Sequence, residues 1–167
     1  MEELPETRIV VGPELSADQL FDFYQRNDIC EVGYGKETAT RILHHPHVMV
    51  GAFAGQHLVA LARATFDGLG ADIVELSVDL RWQGSTRHET GALVESDPYG
   101  LGAAVAGRLL EELERLGVSF ISACVVEGVE EEFYKSIGLV ENVGHRVYCR
   151  DRRPYVVRDN GGEHESG

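Results

Sequence analysis

Residues 7–11 form a short β-branched run, the first strand that the pattern of apolar positions predicts. Leu20, Phe21, Phe23 and Tyr24 then recur at helical spacing behind Ser16, a good N-cap, with Gln19 three residues later as in a capping box. A second short helix is expected over 36–43, stopped by Pro46. Period-two patterning follows: 47–54 and 57–66 flank a Gly55-Gln56 turn as a hairpin. After the turn Asp67-Gly68-Leu69-Gly70, residues 71–80 (ADIVELSVDL) extend the hairpin into an antiparallel meander. Residues 85–98 are polar and irregular, too long for an ordinary connection. Leu101, Val105, Leu109, Leu113 and Leu116 mark the clearest helix. Arg108 with Glu112 and Glu111 with Arg115 are expected as outer i,i+4 pairs, and Gly117 ends the helix. A buried strand over 118–126, a short helix over 130–137 with Gly138 as its C-cap, and strands near 139–143 and 145–149 complete the pattern.

The order β-α-α-β-β-β-α-β-α-β-β describes an α+β fold: a mixed, mostly antiparallel sheet of about six or seven strands with helices on both faces. One domain over 1–158 is expected, and the polar, Gly-rich stretch 159–167 reads as a disordered tail. No run approaches the roughly 20 apolar residues of a membrane span, and MEELPETR lacks a secretory pattern, so a cytoplasmic protein without a membrane partner is expected. With 15 Lys+Arg against 28 Asp+Glu, the net charge of −13 disfavours nucleic acid and hints at a cationic small molecule or peptide. Cys30, Cys124 and Cys149 show no CxxC spacing and read as reduced thiols, Cys124 as filler in a buried strand. His44, His45 and His47 in HHPH are broken by Pro46 and lack an adjacent carboxylate; no metal site is expected there, although contact with a substrate is.

Two stretches carry candidate chemistry. Gly100-Leu101-Gly102 opens the long helix, where free amides and the helix dipole suit phosphate oxygens. Neither a Walker lysine nor a Rossmann third glycine accompanies it. One strand later comes Phe133-Tyr134-Lys135-Ser136-Ile137-Gly138-Leu139. Together with Leu76-Ser77-Val78 on the preceding strand, these pieces resemble the GNAT superfamily of acyl-CoA-dependent N-acyltransferases over residues 72–148. The resemblance implies that the amides of Gly100, Leu101, Gly102 and Ala103 hold the pyrophosphate of acetyl-CoA. It also implies that the backbone at Ser77 and Val78 pairs with the pantetheine arm, and that Tyr134 is the general acid for the departing thiolate.

Two positions depart from the family pattern. Asp97 stands where the family places Gln or Arg, three residues before the first motif glycine, and Glu127 stands where many members carry Asn. A second register starts the phosphate loop at Gln83-Gly84, after Val78-Asp79-Leu80-Arg81-Trp82, and makes 85–98 an insertion within it. This register is preferred. Trp82, Arg87 and His88 make the insertion either a lid over the acceptor or an exposed hairpin. A base must take the amine proton; Asp72 and Glu75 are the candidates. Their opposite parity lets only one face the reaction centre unless a bulge intervenes, and the apolar surroundings of Glu75 favour it. The expectation is an N-acetyltransferase that moves an acetyl group from acetyl-CoA to a primary amine in a ternary complex, in a chain that the family's habits suggest is a homodimer. A GNAT-like module that binds acyl-CoA or a partner without turnover is the alternative.

Overall fold

A computed structural model describes residues 3–29, 35–45, 47–84 and 90–152. Cys30, Arg87, His88 and the segment 159–167 lie outside the described residues. The elements run β1 (Arg8–Val11), α1 (Ala17–Arg26), α2 (Lys36–His44), β2 (Val48–Ala54), β3 (His57–Phe66), β4 (Gly70–Val78), a 3-10 turn (Leu80–Gln83), α3 (Leu101–Arg115), β5 (Phe120–Ala123) and α4 (Glu131–Ser136). Five strands make one sheet in sequence order, antiparallel from β1 to β4, with β5 added parallel to β4. The α+β class and the mostly antiparallel sheet match the sequence expectation, with five strands among the described residues rather than six or seven.

The local signals explain most boundaries. Ser16 and Gln19 form a reciprocal capping box at α1: the Gln19 amide donates to Ser16 Oγ at 3.1 Å, and the Ser16 amide to Gln19 Oε1 at 3.0 Å. Helix α3 and the β2–β4 meander enclose one core, where alanines at 52, 60, 62 and 64 let the helix approach the sheet closely. Helices α1 and α2 cover the other face over Phe53, Leu58 and Leu61.

β4 carries the irregularity that organises the site. Arg63 pairs with Glu75 but Ala64 pairs with Ile73, which leaves Val74 as an extra residue in a bulge. The bulge resets the alternation of side chains. Ala71, Ile73, Leu76 and Val78 all enter the α3-side core, and Asp72, Glu75 and Ser77 all turn away from it.

Three expectations fail. The strand expected over 118–126 is only Phe120–Ala123, a half-buried edge, and Cys124 is exposed rather than core filler. Residues 139–149 form no strand, and Val140, Val143, Val147 and Tyr148 are exposed. Their β-branched composition fits a sheet, but composition alone does not supply a partner for the backbone. On α3 the outer ion pairs are Arg108 with Glu111 at 2.8 Å and Arg115 with Glu112 at 2.5 Å, both i,i+3. Neither exposed pair contributes much to stability.

Candidate active site

β4 and β5 run together only where Gly70–Ile73 face Phe120–Ala123; β4 then continues to Val78 paired with β3 but without β5. The two strands form a fork. Past it, backbone alternation turns the amide and carbonyl of Leu76 towards the side that β5 has left. The groups on either side of Leu76 are already used. The Val78 amide donates to Gly91 O at 2.9 Å, the Val78 carbonyl accepts from Gln83 Nε2 at 2.9 Å, and Ser77 faces β3 opposite Leu61. The open edge therefore lies at Leu76, one residue before the Ser77-Val78 pair that the sequence pattern indicated.

Tyr134 projects from α4 into the α3-side core and is 6% exposed, its ring edge-on to Phe133. Burial pushes its phenol well above the ordinary value, and the nearby charges of Glu130, Cys124 and Asp72 push it further. The hydroxyl makes no hydrogen bond to a described residue. Asp72 lies at the fork itself, where its Oδ1 accepts from Ser122 Oγ on β5 at 3.0 Å. Glu75 is more constrained. Its Oε1 accepts from Tyr24 Oη at 2.6 Å and Arg63 Nε at 2.7 Å, and its Oε2 from Ser77 Oγ at 2.9 Å. Both acids thus share one face through the bulge. Only Asp72 is exposed, and the sequence preference for Glu75 has no support in this geometry.

The opening turn of α3 holds a carboxylate of its own chain. Asp97 Oδ1 accepts from the Gly102 amide at 2.8 Å and Oδ2 from the Ala103 amide at 2.9 Å. The Gly100 amide donates to Asp97 O at 3.1 Å. Of the four amides expected to grip pyrophosphate, only that of Leu101 has no hydrogen bond among the described residues. Gly102 is needed here for closeness. A Cβ would come within 3.2 Å of the Phe133 ring and 3.3 Å of the Asp97 carboxyl.

Gln83 and Gly84 are engaged within the chain. Gln83 is fully buried; its Nε2 holds Val78 O, its Oε1 accepts from the Glu95 amide at 3.1 Å, and its carbonyl accepts from Ser96 Oγ. Gly84 has a φ of 90° and lies against Pro98. The described part of the insertion is pinned to the body: the Gly91 amide donates to Asn27 O at 2.8 Å, Thr90 Oγ1 to Asp28 O at 2.7 Å, and the Val94 amide to Glu130 Oε1 at 3.3 Å. Gly91 has no room for a side chain, because a Cβ would fall 2.7 Å from Val78 O. Residues 90–98 are thus neither a lid nor an exposed hairpin.

Sequence reasoning passed over Glu130. This buried carboxylate accepts the Val94 and Val126 amides, and desolvation raises its proton affinity. Its only sequence signal was its place at the start of a helix. Among the described residues no group of His, Cys, Asp and Glu could hold a metal, and no helix is long and apolar enough to cross a membrane.

This fold is that of the GNAT acetyltransferases. A Staphylococcus aureus protein described as a probable acetyltransferase superposes with a TM-score of 0.66 at 12% identity, covering 87% of this chain and all of its own. A GNAT-family acetyltransferase from Streptococcus pneumoniae gives 0.63 at 19% identity over 89% of this chain and all of its own. A ribosomal-protein-alanine N-acetyltransferase from Brucella melitensis gives 0.60 at 14% identity over 86% of this chain and 99% of its own. At such identities the shared property is the fold. No family model and no curated protein matches the sequence.

Proposed function

We propose that the chain is an acyl-CoA-dependent N-acyltransferase that moves an acetyl group from acetyl-CoA to a primary amine within a ternary complex. The observation that carries this reading is a phenol, Tyr134, buried on α4 against the α3-side core with its hydroxyl unbonded to any described residue, in a fold whose strands β4 and β5 part beside an exposed carboxylate, Asp72. In the reaction the amine nitrogen bonds to the acyl carbon, and the C–S bond breaks with its electron pair going to sulfur. The Tyr134 hydroxyl supplies the proton that sulfur takes, and the phenolate regains one from solvent. The proton lost by nitrogen goes to Asp72, directly or through water, because that carboxylate has an oxygen to spare. Glu75 positions Arg63 and Tyr24 instead, since taking a proton would break its ion pair.

The pantetheine arm fits the open edge at Leu76 as an added strand. Its diphosphate would compete with Asp97 for the Gly102 and Ala103 amides, while the Leu101 amide is already open. The Asp97 cap also favours a second reading, a GNAT-like module that performs no transfer. Calorimetry with acetyl-CoA followed by a thiol-release assay over an amine panel tests both readings. Tyr134→Phe is expected to lower kcat about 10²–10⁴-fold, the usual worth of a positioned general acid, with the KM for acetyl-CoA little changed. Equal turnover by the variant would overturn the role given to Tyr134. Binding with no thiol release on any amine would favour the module.

A further inference from the structure

Behind the fork, on the α1–α2 face of the sheet, lies an open pocket of about 320 Å³ lined by Thr38, Arg41, Ile42, His45, His47, Arg63 and Thr65. It joins α2, from Thr38 to the C-cap His45, to the C-terminal half of β3. In a chain with 28 acidic residues and a net charge of −13, no carboxylate among the described residues lines it. Glu75, with the Tyr24 hydroxyl, faces Arg63 from the neighbouring strand and offsets its charge. Arg41 is different: it makes no ion pair with a described residue and is exposed. Among the described residues one guanidinium is thus uncompensated. Two imidazoles and two threonine hydroxyls supply further donors. Burial, with the charge of Arg63, lowers the pKa of His47, so that ring is neutral at pH 7 and able to offer one N–H.

The pocket's place in the sheet ties it to the reacting centre. Arg63 is the register partner of Glu75, and Thr65 that of Asp72. Adjacent strands lie about 4.8 Å apart, so a group in the pocket sits roughly 5–10 Å from one beside Asp72. We infer that the pocket is the subsite for an anionic group carried by the amine acceptor, a carboxylate or a phosphate a few bonds from the nitrogen, and that Arg41 sets this preference. This rests on the acyltransferase reading and reverses the cationic acceptor that the net charge suggested. Whole-chain charge acts at long range and is screened beyond about 8 Å in physiological salt, whereas the pocket's donors act by contact.

Two measurements separate this inference from the reading beneath it. In the first, thiol release from acetyl-CoA is followed with ω-amino acids, ω-aminoalkyl phosphates, the matching amino alcohols and the matching diamines, each with two to five methylenes, at 0.15 M salt. An anionic series at least tenfold above the amino alcohols in kcat/KM is expected, with the diamines slowest. Arg41→Gln should bring the anionic-to-neutral ratio close to one, and Arg41→Lys should restore most of it. Diamines as best acceptors, or a ratio unmoved by Arg41→Gln, would overturn the inference. The faster of the two anionic series tells carboxylate from phosphate. The second measurement needs no turnover: inorganic phosphate and acetate are titrated into the protein alone while the His45 and His47 ring signals are followed by NMR. Saturable shifts that vanish in Arg41→Gln support the subsite even if no amine is acetylated, in which case only the acyltransferase reading fails. Shifts that are absent or unchanged in the variant would overturn it.

Discussion

Asp97 and a ligand diphosphate call on the same donors. Its carboxylate takes two amides of the first turn of α3 with charge-assisted bonds and complements the positive end of the helix dipole. Asp97→Ala should therefore have two effects of opposite sign. Loss of a cap costs about 0.5–2 kcal/mol, a melting point lower by a few degrees in a domain of this size. The freed amides and the missing negative charge should tighten acetyl-CoA binding. Calorimetry and thermal denaturation on the same variant check both, and a fall in affinity together with stability would show that Asp97 supports the ligand site instead of occupying it. The sequence made Asp97 visible as a poor neighbour for pyrophosphate. It did not show that this aspartate bonds the very amides proposed for the ligand, because the link runs from residue 97 to residues 102 and 103 across a turn whose path depends on Gly100 at a φ of 71°. The internal bonding of Gln83 was hidden for a related reason. An amide side chain beside a glycine looks like a ligand donor until burial gives all its polar atoms partners within the chain.

Among the elements, those with strong local signals were legible. The Ser16 capping box fixes the start of α1, the turns at Gly55-Gln56 and Asp67–Gly70 fix the meander, and the leucine spacing fixes α3. The segment 139–149 has strand composition but makes no strand, since pairing is a property of two backbones and composition describes one. The bulge at Val74 was open in the sequence only as a condition on how two acids could share a face. It now accounts for both, and it can be tested as an element. Deleting Val74 would remove the extra residue and restore plain alternation, with Ala71, Ile73, Leu76 and Val78 all kept on the core face. No core side chain is expelled, so this deletion should cost less than burying one hydrophobic side chain is worth, about 1.5–3 kcal/mol. Val74→Ala keeps the backbone count and trims a side chain that is 44% exposed; it should cost under about 1 kcal/mol. Denaturant midpoints check both variants, and a deletion variant that fails to fold would mean that Val74 is not the extra residue that gives the two halves of β4 a common face.

Across the whole molecule, separate segments are knitted together at a few buried polar groups. Asp79 takes Arg26 from the end of α1 and Asn27 from its C-cap, and Glu130 ties the 90–98 segment to the loop ahead of α4. Neither was legible from spacing, because their partners are 36 to 53 residues away or lie in irregular backbone. Glu130 also gives the fold a pH dependence whose direction can be derived. Burial is the largest influence on it and raises its folded-state pKa above the ordinary 4.5; the Val126 and Val94 amides oppose the shift only in part, and Glu95 adds to it. A carboxyl that holds its proton more tightly when folded contributes most below the unfolded value, and that contribution is lost as pH rises through the folded value. Asp67 and Glu112 have lowered pKa values and run the other way, their contributions fading as pH falls through the folded value, so the wild-type profile alone mixes the two signs. The comparison with Glu130→Gln isolates one group. The amide resembles the protonated acid, so the variants should have similar unfolding free energies near pH 4. Above pH 4.5 the wild type should lose stability relative to Glu130→Gln, with the difference levelling off once Glu130 is ionised in both states. Urea denaturation at intervals from pH 4 to 8 measures this, and a wild type that gains on the variant over that range would mean that the two backbone amides outweigh desolvation at Glu130.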